Sequence, residues 1–538
     1  MLRILNFKVT VDSALEDLPK FVADFLKIKE SDMLEFNIVK QSLDARARAD
    51  GSIHFVYTID VTVADENTIL ALNLPNVRQF EKVNYVFPTK RETPPMNPPI
   101  IIGTGPAGLA AGLLLAEAGY APIVLERGES FEDRTFSVEN YGRYGIKEES
   151  NIHFGEGGAA TYSAGLFRSQ DRNFKNPQFL KLVRDFKSAP SVKDFHFYQD
   201  KPILGSDVIS DIVLSLRNKL LAHGGDIRCN TKVENLLVVK GRVTGVITHD
   251  QQVIYSDHII IATGVSAKDS YEFLHAHGVD MTPLAFAVGL RIEHPKEALN
   301  RAQYREYAYH PNLEPATYNL NYRTKDDYTV YPFAVSPGGQ IIPAMTEYGH
   351  LTIGGTTKSA KHTANTNAAL VVQLKPEDLP TGDLFVGIAF QRELERKAYQ
   401  MGGGNYKAPA QLVGDFLKKQ PSVALGSVPS TYGPGITLCN LHDLLPTNIG
   451  NALIEAIRGF AKRIKGFDMH DAILTGIDSR PSSTIRITRN VETMESINMA
   501  GLYPAGEGAG YAAGIVSSYL DGIKVAEAVI ASYEKQDK

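Results

Sequence analysis

Three glycines that follow a short apolar run have the spacing of a phosphate-binding turn. Residues 100–102 are isoleucines of strand length, and an Ala- and Leu-rich stretch follows the turn. Gly103 permits a tight turn, Gly105 lets the backbone approach a pyrophosphate, and Gly108 lets the helix lie close to the sheet. The helix N-terminus offers unpaired N–H groups and a partial positive charge. The contacts predicted in this turn are Gly103, Gly105, Pro106, Ala107 and Gly108.

A carboxylate at the end of the next predicted strand supports the same chemistry. The strand covers residues 121–125 and leads into Glu126 and Arg127. Glu126 lies 18 residues after Gly108, close to the usual offset of about 20. Such a carboxylate accepts hydrogen bonds from the ribose hydroxyls of an adenosine. The alternative is an ordinary βαβ unit with a surface glutamate.

Two later segments read as returns of the chain to the same sheet. Residues 258–262 form an apolar run that ends at Thr263 and Gly264. Residues 501–517 contain a short strand, an acidic residue between glycines, and a helix start. Glu507 can bind ribityl hydroxyls, and the helix dipole suits the negative edge of a reduced flavin. The contacts predicted here are Thr263, Gly264, Gly506, Glu507, Gly514 and Ile515.

Small residues between 154 and 165 could lie flat against a planar ligand. Gly157 and Gly158 are the contacts predicted in this stretch, for which the alternative is a mobile loop. Val233, in a strand-like run over 226–239, is expected near the adenine edge.

Several polar residues are candidates for catalysis. Arg480, Arg291 and Tyr406 are selected, and an arginine at 480 could fix a substrate carboxylate or stabilise charge on the flavin. The alternative for both arginines is a surface or interdomain salt bridge. His153, His294 and His442 are isolated histidines of the kind usually found in structural positions.

The cysteines and the glycine turns of the sequence limit the possible sources of electrons. The chain has two cysteines, Cys229 and Cys439, in no paired motif, so we expect no redox dithiol, disulfide or metal site. We find no second glycine turn for a separate nicotinamide domain. The reductant is then the substrate, a transiently bound nicotinamide, or a protein that donates or accepts electrons.

Composition limits the class of protein. The chain has 538 residues, of which 43% are hydrophobic and 22% charged, with a net charge of −5. Two or three globular domains are expected. The negative charge does not favour nucleic acid, and no run of about 18 apolar residues indicates a membrane span. The expected location is the cytoplasm.

The order of the predicted strands and helices that position these residues indicates an α/β fold in three parts. Residues 1–92 suggest a ferredoxin-like βαββαβ domain with its last strand at 83–87, followed by a proline-rich linker. Residues 98–285 and 490–538 are assigned to a Rossmann-like FAD-binding domain built from separate segments. Residues 286–489, with strands followed by helices, are assigned to an inserted α+β substrate or cap domain.

These segments together resemble a known family. The chain is similar to the uncharacterised FAD-dependent dehydrogenases of bacteria, among the glutathione-reductase-like flavoproteins. The matching stretches span the length of the chain, at residues 42–46, 154–158, 286–295, 402–411 and 503–510. The resemblance implies bound FAD and an oxidoreductase acting on a small molecule. The alternative is an FAD-bound binding module, of the RNA-modification type, whose N-terminal domain engages RNA or a protein.

Overall fold

The computed structural model describes residues 1–46, 51–141, 145–167, 175–192, 195–199, 202–379 and 382–536, which form a mixed α/β structure with parallel and antiparallel sheets. The strands are β1 Leu2–Thr10, β2 Met33–Asp44, β3 His54–Val63, β4 Val77–Gln79, β5 Ile100–Ile102, β6 Ile123–Leu125, β7 Asp226–Arg228, β8 Val233–Val239, β9 Arg242–Thr248, β10 Val253–Tyr255, β11 Ile259–Ile261, β12 Met281–Pro283, β13 Phe286–Pro295, β14 Tyr322–Arg323, β15 Thr329–Pro337, β16 Gln340–Pro343, β17 Ile353–Thr356, β18 Asn365–Leu374, β19 Ala408–Leu412, β20 Ile436–Leu438, β21 Ile473–Asp478, β22 Ile485–Ile487 and β23 Leu502–Pro504. The α-helices are α1 Leu18–Leu26, α2 Glu66–Ala71, α3 Pro106–Glu117, α4 Phe131–Glu139, α5 Pro177–Phe186, α6 Ser206–Ala222, α7 Lys268–Ala276, α8 Lys296–Tyr304, α9 Val386–Met401, α10 Val413–Phe416, α11 Thr447–Ala461 and α12 Gly514–Gln536.

The first four strands form an antiparallel sheet in the order β2-β3-β1-β4. Helix α1 buries Leu18, Val22 and Leu26 against it, because these residues recur at helical spacing on one face. The expectation of a last strand at 83–87 is wrong, since the fourth strand is Val77–Gln79. Residues 83–87 instead join other elements: the Tyr85 hydroxyl donates to Glu527 at 2.8 Å.

A five-stranded parallel sheet lies at the centre of the second part, in the order β23-β11-β5-β6-β7. The isoleucines of β5 and β11 are fully or almost fully buried, as expected for strands covered on both faces. Helices α3, α5, α6 and α12 pack on one face. The antiparallel strands β8 and β9, with α7, pack on the other.

A seven-stranded sheet forms the third part, in the order β14-β15-β18-β13-β21-β19-β20. All its pairs are antiparallel except β19 with β20. Val288, Leu290 and Ile292 on β13 belong to the core that contains α11. Since side chains alternate along a strand, Arg291 points to the opposite face.

None of the helices in the described part of the chain combines the length and apolar content needed to cross a membrane.

Candidate functional site

The carboxyl ends of four parallel strands meet at one edge of the central sheet and line a single cleft. Gly103 follows β5, Glu126 follows β6, Thr263 follows β11, and Gly506 follows β23. Ligands of open parallel sheets bind at this edge, because the loops that leave it converge there. The predicted cofactor residues that line the cleft are Gly103, Gly105, Pro106, Ala107, Glu126, Arg127, Gly158, Val233, Thr263, Gly264, Gly506, Glu507, Gly514 and Ile515.

The three glycines of the first turn have different surroundings. Gly103 has a φ of +105°, and an added Cβ would lie 2.4 Å from the carbonyl oxygen of Ala262. A Cβ on Gly108 would lie 1.9 Å from the carbonyl oxygen of Gly103, so this glycine serves packing and does not line the cleft. A Cβ on Gly105 would meet no atom of the described residues within 4 Å, its chain neighbours aside. The turn therefore leaves open space at the start of α3, whose first N–H groups lack partners within the helix.

Glu126 ties together three loops at the mouth of this turn. One carboxylate oxygen accepts from the backbone N–H and hydroxyl of Thr104, at 3.0 and 2.6 Å. The other accepts from the backbone N–H groups of Gly128 and Gly155, at 3.1 and 2.9 Å. The side chain lines the cleft as predicted, but its acceptor sites are already engaged. Its contact with ribose hydroxyls stays a prediction.

A buried arginine that sequence reasoning passed over shapes the small-residue loop. Arg134 donates to the carbonyl oxygens of Asn151, Glu156 and Gly158, at 2.8, 2.6 and 3.0 Å. Its place on a short polar helix carries no sign of this role, because the acceptors are backbone atoms of a later loop. Gly157 is enclosed here and does not line the cleft: its added Cβ would lie 2.2 Å from the Thr161 hydroxyl.

A second helix, α12, also begins at the cleft. Glu507 accepts from the backbone N–H of Gly514 at 3.3 Å, and burial raises the pKa of this carboxyl to about 7. Helices α12 and α3 touch at backbone level, since a Cβ on Gly522 would lie 2.2 Å from the carbonyl oxygen of Ala107. Two helix N-termini are thereby held at one site.

The seven-stranded sheet supplies a polar wall to the same cleft. Arg291, Asp478 and Arg480 line it, and Arg480 is 8% exposed. The Nε and Nη2 atoms of Arg480 donate to Glu395 at 2.7 and 2.6 Å, and Nη1 donates to the Thr346 hydroxyl at 2.6 Å. Arg480 thus forms a salt bridge, which was the alternative to a catalytic role, and it also lines the cleft.

Glu395 is the centre of a buried charge cluster. It also lies 3.6 Å from the ammonium of Lys268, which donates to Glu347 at 2.7 Å. Although burial opposes ionisation, Arg480 and Lys268 lower the pKa of Glu395 to about 2. Glu395 is therefore ionised at physiological pH. Sequence reasoning finds no sign of Glu395, because its partner lies 85 residues away.

The arrangement around Arg291 is less complete. Its Nε lies 3.7 Å from an oxygen of Asp478, too far for a hydrogen bond. Burial raises the pKa of Asp478 to about 6, and Arg291 partly offsets this rise. Asp478 was not predicted, and it lies at the end of the strand next to β13.

The isolated histidines have different outcomes. His294 and His442 contact backbone carbonyl oxygens through Nε2, of Phe467 at 2.8 Å and Phe416 at 3.0 Å, in keeping with structural roles. His153 lines the cleft, and its buried Nε2 has no hydrogen-bond partner among the described residues. Burial, with Arg480 nearby, lowers the pKa of His153 to about 3, so the ring is neutral.

Tyr406 lies apart from these groups. Its hydroxyl accepts from the backbone N–H of Gly349 at 3.2 Å, and it is not among the described residues that line the cleft. A catalytic role for Tyr406 stays a prediction without support from this geometry.

The fold and the cleft define a nucleotide-binding α/β protein, and comparison with known proteins narrows this class. Residues 285–481 match the family described as FAD-dependent protein, C-terminal domain-like, and residues 1–62 match a domain of unknown function, DUF8436. An uncharacterised protein of Clostridium beijerinckii is 38% identical over 536 residues, covering 99% of each chain. The chain belongs to the family of this clostridial protein, and its residues 285–481 match a domain described as that of an FAD-dependent protein.

Solved structures give more distant likenesses. A point mutant of the halogenase PltM in complex with FAD covers 82% of this chain and 71% of its own, with 11% identity and a TM-score of 0.38. A geranylgeranyl bacteriochlorophyll reductase-like protein of Thermoplasma acidophilum covers 82% and 79%, with 12% identity and a TM-score of 0.38.

The prediction of FAD as cofactor is confirmed by the family match, and the cleft fits this group. The open space at Gly105 lies at a helix N-terminus, which suits a pyrophosphate. A Cβ on Gly264 or Gly514 would likewise meet nothing within 4 Å in the part of the chain that the structure describes. The carboxyl of Glu507 lies beside the start of α12, and its contact with ribityl hydroxyls stays a prediction.

Proposed function

We propose that the protein is an FAD-dependent oxidoreductase that acts on a small molecule. The observation that supports this most directly is the composition of one cleft. Strand ends and two helix N-termini form one wall, while Arg291, Asp478 and Arg480 from a different sheet form the other. FAD supplies an acceptor or donor for a hydride when it is bound. The second wall supplies groups that recognise a polar substrate.

The residues of that wall have separate roles in this proposal. Arg480 is a positioned charge, because Glu395 and the Thr346 hydroxyl hold its guanidinium in place. Asp478 holds or releases a proton, since a carboxyl with a pKa of about 6 changes its charge near neutral pH. Tyr406 has no role here, because it does not line the cleft.

The proposal includes a division of the chain into units. Residues 1–92 form one unit, residues 98–285 with 490–538 the FAD-binding unit of Rossmann type, and residues 286–489 an inserted unit. It is supported by the three largest sheets, each of which draws its strands from one unit only. Val11 and Ile53 from the first unit are buried in the core of the third, so we expect the first unit to be held firmly.

The test is anaerobic reduction of the FAD-loaded protein by a panel of small metabolites. A substrate should bleach the flavin absorbance in a single turnover, at a rate that saturates with its concentration. Asp478→Asn should slow this rate without lowering FAD content, whereas the exposed Asp468→Asn should not change it. Failure of every metabolite, with artificial reductants still effective, would contradict the oxidoreductase function.

The electron source has a test of its own. We expect NADH and NADPH to reduce the flavin slowly or not at all, because the one glycine turn that we recognise is committed to FAD. Stopped-flow mixing at millimolar nicotinamide measures this rate. Saturable reduction within milliseconds would mean that residues 286–489 contain a nicotinamide site.

A further inference from the structure

Arg291 is a buried cation whose hydrogen-bonding capacity is largely unused. It is 1% exposed, and its closest acceptor contact is Nη2 to the carbonyl oxygen of Ala334 at 3.4 Å. Among the described residues, Nε and Nη1 find no hydrogen-bond partner. A guanidinium has five N–H groups, one on Nε and two on each Nη, so four of them lack an acceptor among the described residues. Buried donors without acceptors are costly, and more so when charged, which points to an acceptor that arrives with a ligand.

The unused donors lie against the wall of the cleft. A Cβ on Gly355 would come within 2.0 Å of Nη1 of Arg291 and 2.5 Å of Oδ1 of Asn367. Gly355 itself lines the cleft. The absence of a side chain at 355 is therefore what lets the guanidinium occupy this position. The amide nitrogen and oxygen of Asn367, fully buried beside it, also have no partner in the described part of the chain.

The neighbouring charges leave room for one negative group. Arg480, the other arginine of this wall, is already neutralised by Glu395 through two hydrogen bonds. Burial lowers the pKa of Arg291, and the neighbouring Asp478, Tyr318 and Glu293 partly offset this. Glu293 is engaged by Thr431 and Asn365, and Asp478 makes no hydrogen bond to the guanidinium. Burial raises the pKa of both carboxyls, and that of Asp478 to about 6, so the negative charge that Asp478 places near Arg291 is lost as the pH falls through 6.

We infer that Arg291, assisted by Asn367, is the recognition site for a carboxylate of the substrate, which is therefore a small organic acid. A planar guanidinium matches a carboxylate in shape and charge better than any other side chain does. This inference rests on the proposed function, since it names the substrate class of the same cleft. It assigns to Arg291 the part that the sequence had suggested for Arg480.

The test measures binding to the FAD-loaded protein without turnover. The probes are sodium acetate, benzoate and succinate, each compared with its uncharged amide at constant ionic strength. Binding is followed by the change in flavin absorbance and by the thermal midpoint. At least one carboxylate should bind saturably, and its amide should bind at least tenfold more weakly.

Variants connect this binding to Arg291. Arg291→Met should weaken carboxylate binding at least tenfold with FAD content unchanged, and Arg291→Lys should retain part of it. Gly355→Ala, which displaces the guanidinium, should weaken it similarly and covers the case in which Arg291→Met does not fold. The exposed Arg396→Met is the matched control.

Two results would overturn the inference. One is that no carboxylate binds the FAD-loaded protein, so that water alone satisfies Arg291. The other is equal binding to the wild type and to Arg291→Met. Neither result affects the metabolite test above, which reads flavin reduction, so the two proposals fail separately.

Discussion

Arg480 and Glu395 form a buried two-point ion pair, with N···O distances of 2.7 and 2.6 Å. The pair connects helix α9 to the segment just after β21, where Asp478 ends the strand and Arg480 follows two residues later. It thus fixes one wall of the site to helix α9. Its contribution can be measured because one partner can be neutralised with little change in shape.

Glu395→Gln should destabilise the protein by about 3–5 kcal/mol, because it leaves Arg480 buried without its counter-charge. The urea midpoint of the FAD-loaded protein measures this loss. Glu393→Gln, on the exposed face of the same helix, is the matched control and should change little. Equal midpoints for the two variants would show that the ion pair is not required for the fold.

Gly105→Ala and Gly108→Ala should separate cofactor binding from folding. An alanine at 105 fits the backbone, with φ −66° and no atom within 4 Å of the new Cβ. It should lower FAD retention but leave the urea midpoint of the FAD-free protein unchanged. An alanine at 108 would collide with Gly103, so it should destabilise the FAD-free protein itself, by about 1–3 kcal/mol. Full FAD retention by Gly105→Ala would mean that the pyrophosphate lies elsewhere.

Glu507 predicts a pH dependence in the FAD-free protein. Its pKa is raised in the folded state from 4.5 to about 7, so folding favours the protonated carboxyl. The stability that this group contributes is complete below pH 4.5 and is lost as the pH rises through 7. Glu507→Gln, which mimics the protonated form, should be more stable than the wild type at pH 8, by about 3 kcal/mol, and equal to it at about pH 4.

Urea midpoints at the two pH values test this, with the exposed Glu492→Gln as control. If the urea midpoint changes equally between the two pH values in the wild type and in Glu507→Gln, this carboxyl is not the group responsible.

Gly522→Ala should loosen the crossing of α3 and α12. Its Cβ would lie 2.2 Å from the carbonyl oxygen of Ala107, so the helices must separate. We expect a loss of about 1–3 kcal/mol in stability together with faster FAD release, because both helix N-termini shift. FAD release is measured by dialysis, and Gly433→Ala, at an exposed glycine with nothing within 4 Å, is the control. Unchanged release would show that the crossing does not set the cleft width.

The wall of the cleft that is formed by strand ends could be predicted from the sequence, because each of its residues directly follows a recognisable strand. A strand that is followed by a glycine turn, as at Gly103, or by an acidic residue, as at Glu507, can be recognised from neighbouring residues alone as a strand of this sheet. Parallel strands then bring such ends together. No further information was needed to place Glu126, Thr263 and Glu507 at one edge.

The polar wall could not be predicted, because its members acquire their roles through distant contacts. The sequence does not show that Glu395 holds Arg480 by two hydrogen bonds, whereas Nε and Nη1 of Arg291 have no hydrogen-bond partner among the described residues. His153 reaches the cleft through the folding of an irregular loop.

The misplaced fourth strand has the same cause. The alternation of Val83, Tyr85 and Phe87 is typical of a strand. The ring of Phe87 instead packs against Arg184 of α5, whose Cζ lies 4.0 Å from the ring centre. Tertiary contacts thus took the place of strand pairing.

The crossing of α3 and α12 also determines when the protein can acquire its cofactor during synthesis. Strand β23 and helix α12 are translated about 400 residues after the glycine turn, which takes roughly 20–80 s at about 5–20 residues per second. Throughout that interval the growing chain presents half a site, and the face of α3 that α12 covers stays exposed, while β5 and α6 already pack on other faces of this helix. FAD loading is therefore a late event that coincides with burial of this face, and a chain interrupted before Gly514 leaves the face exposed.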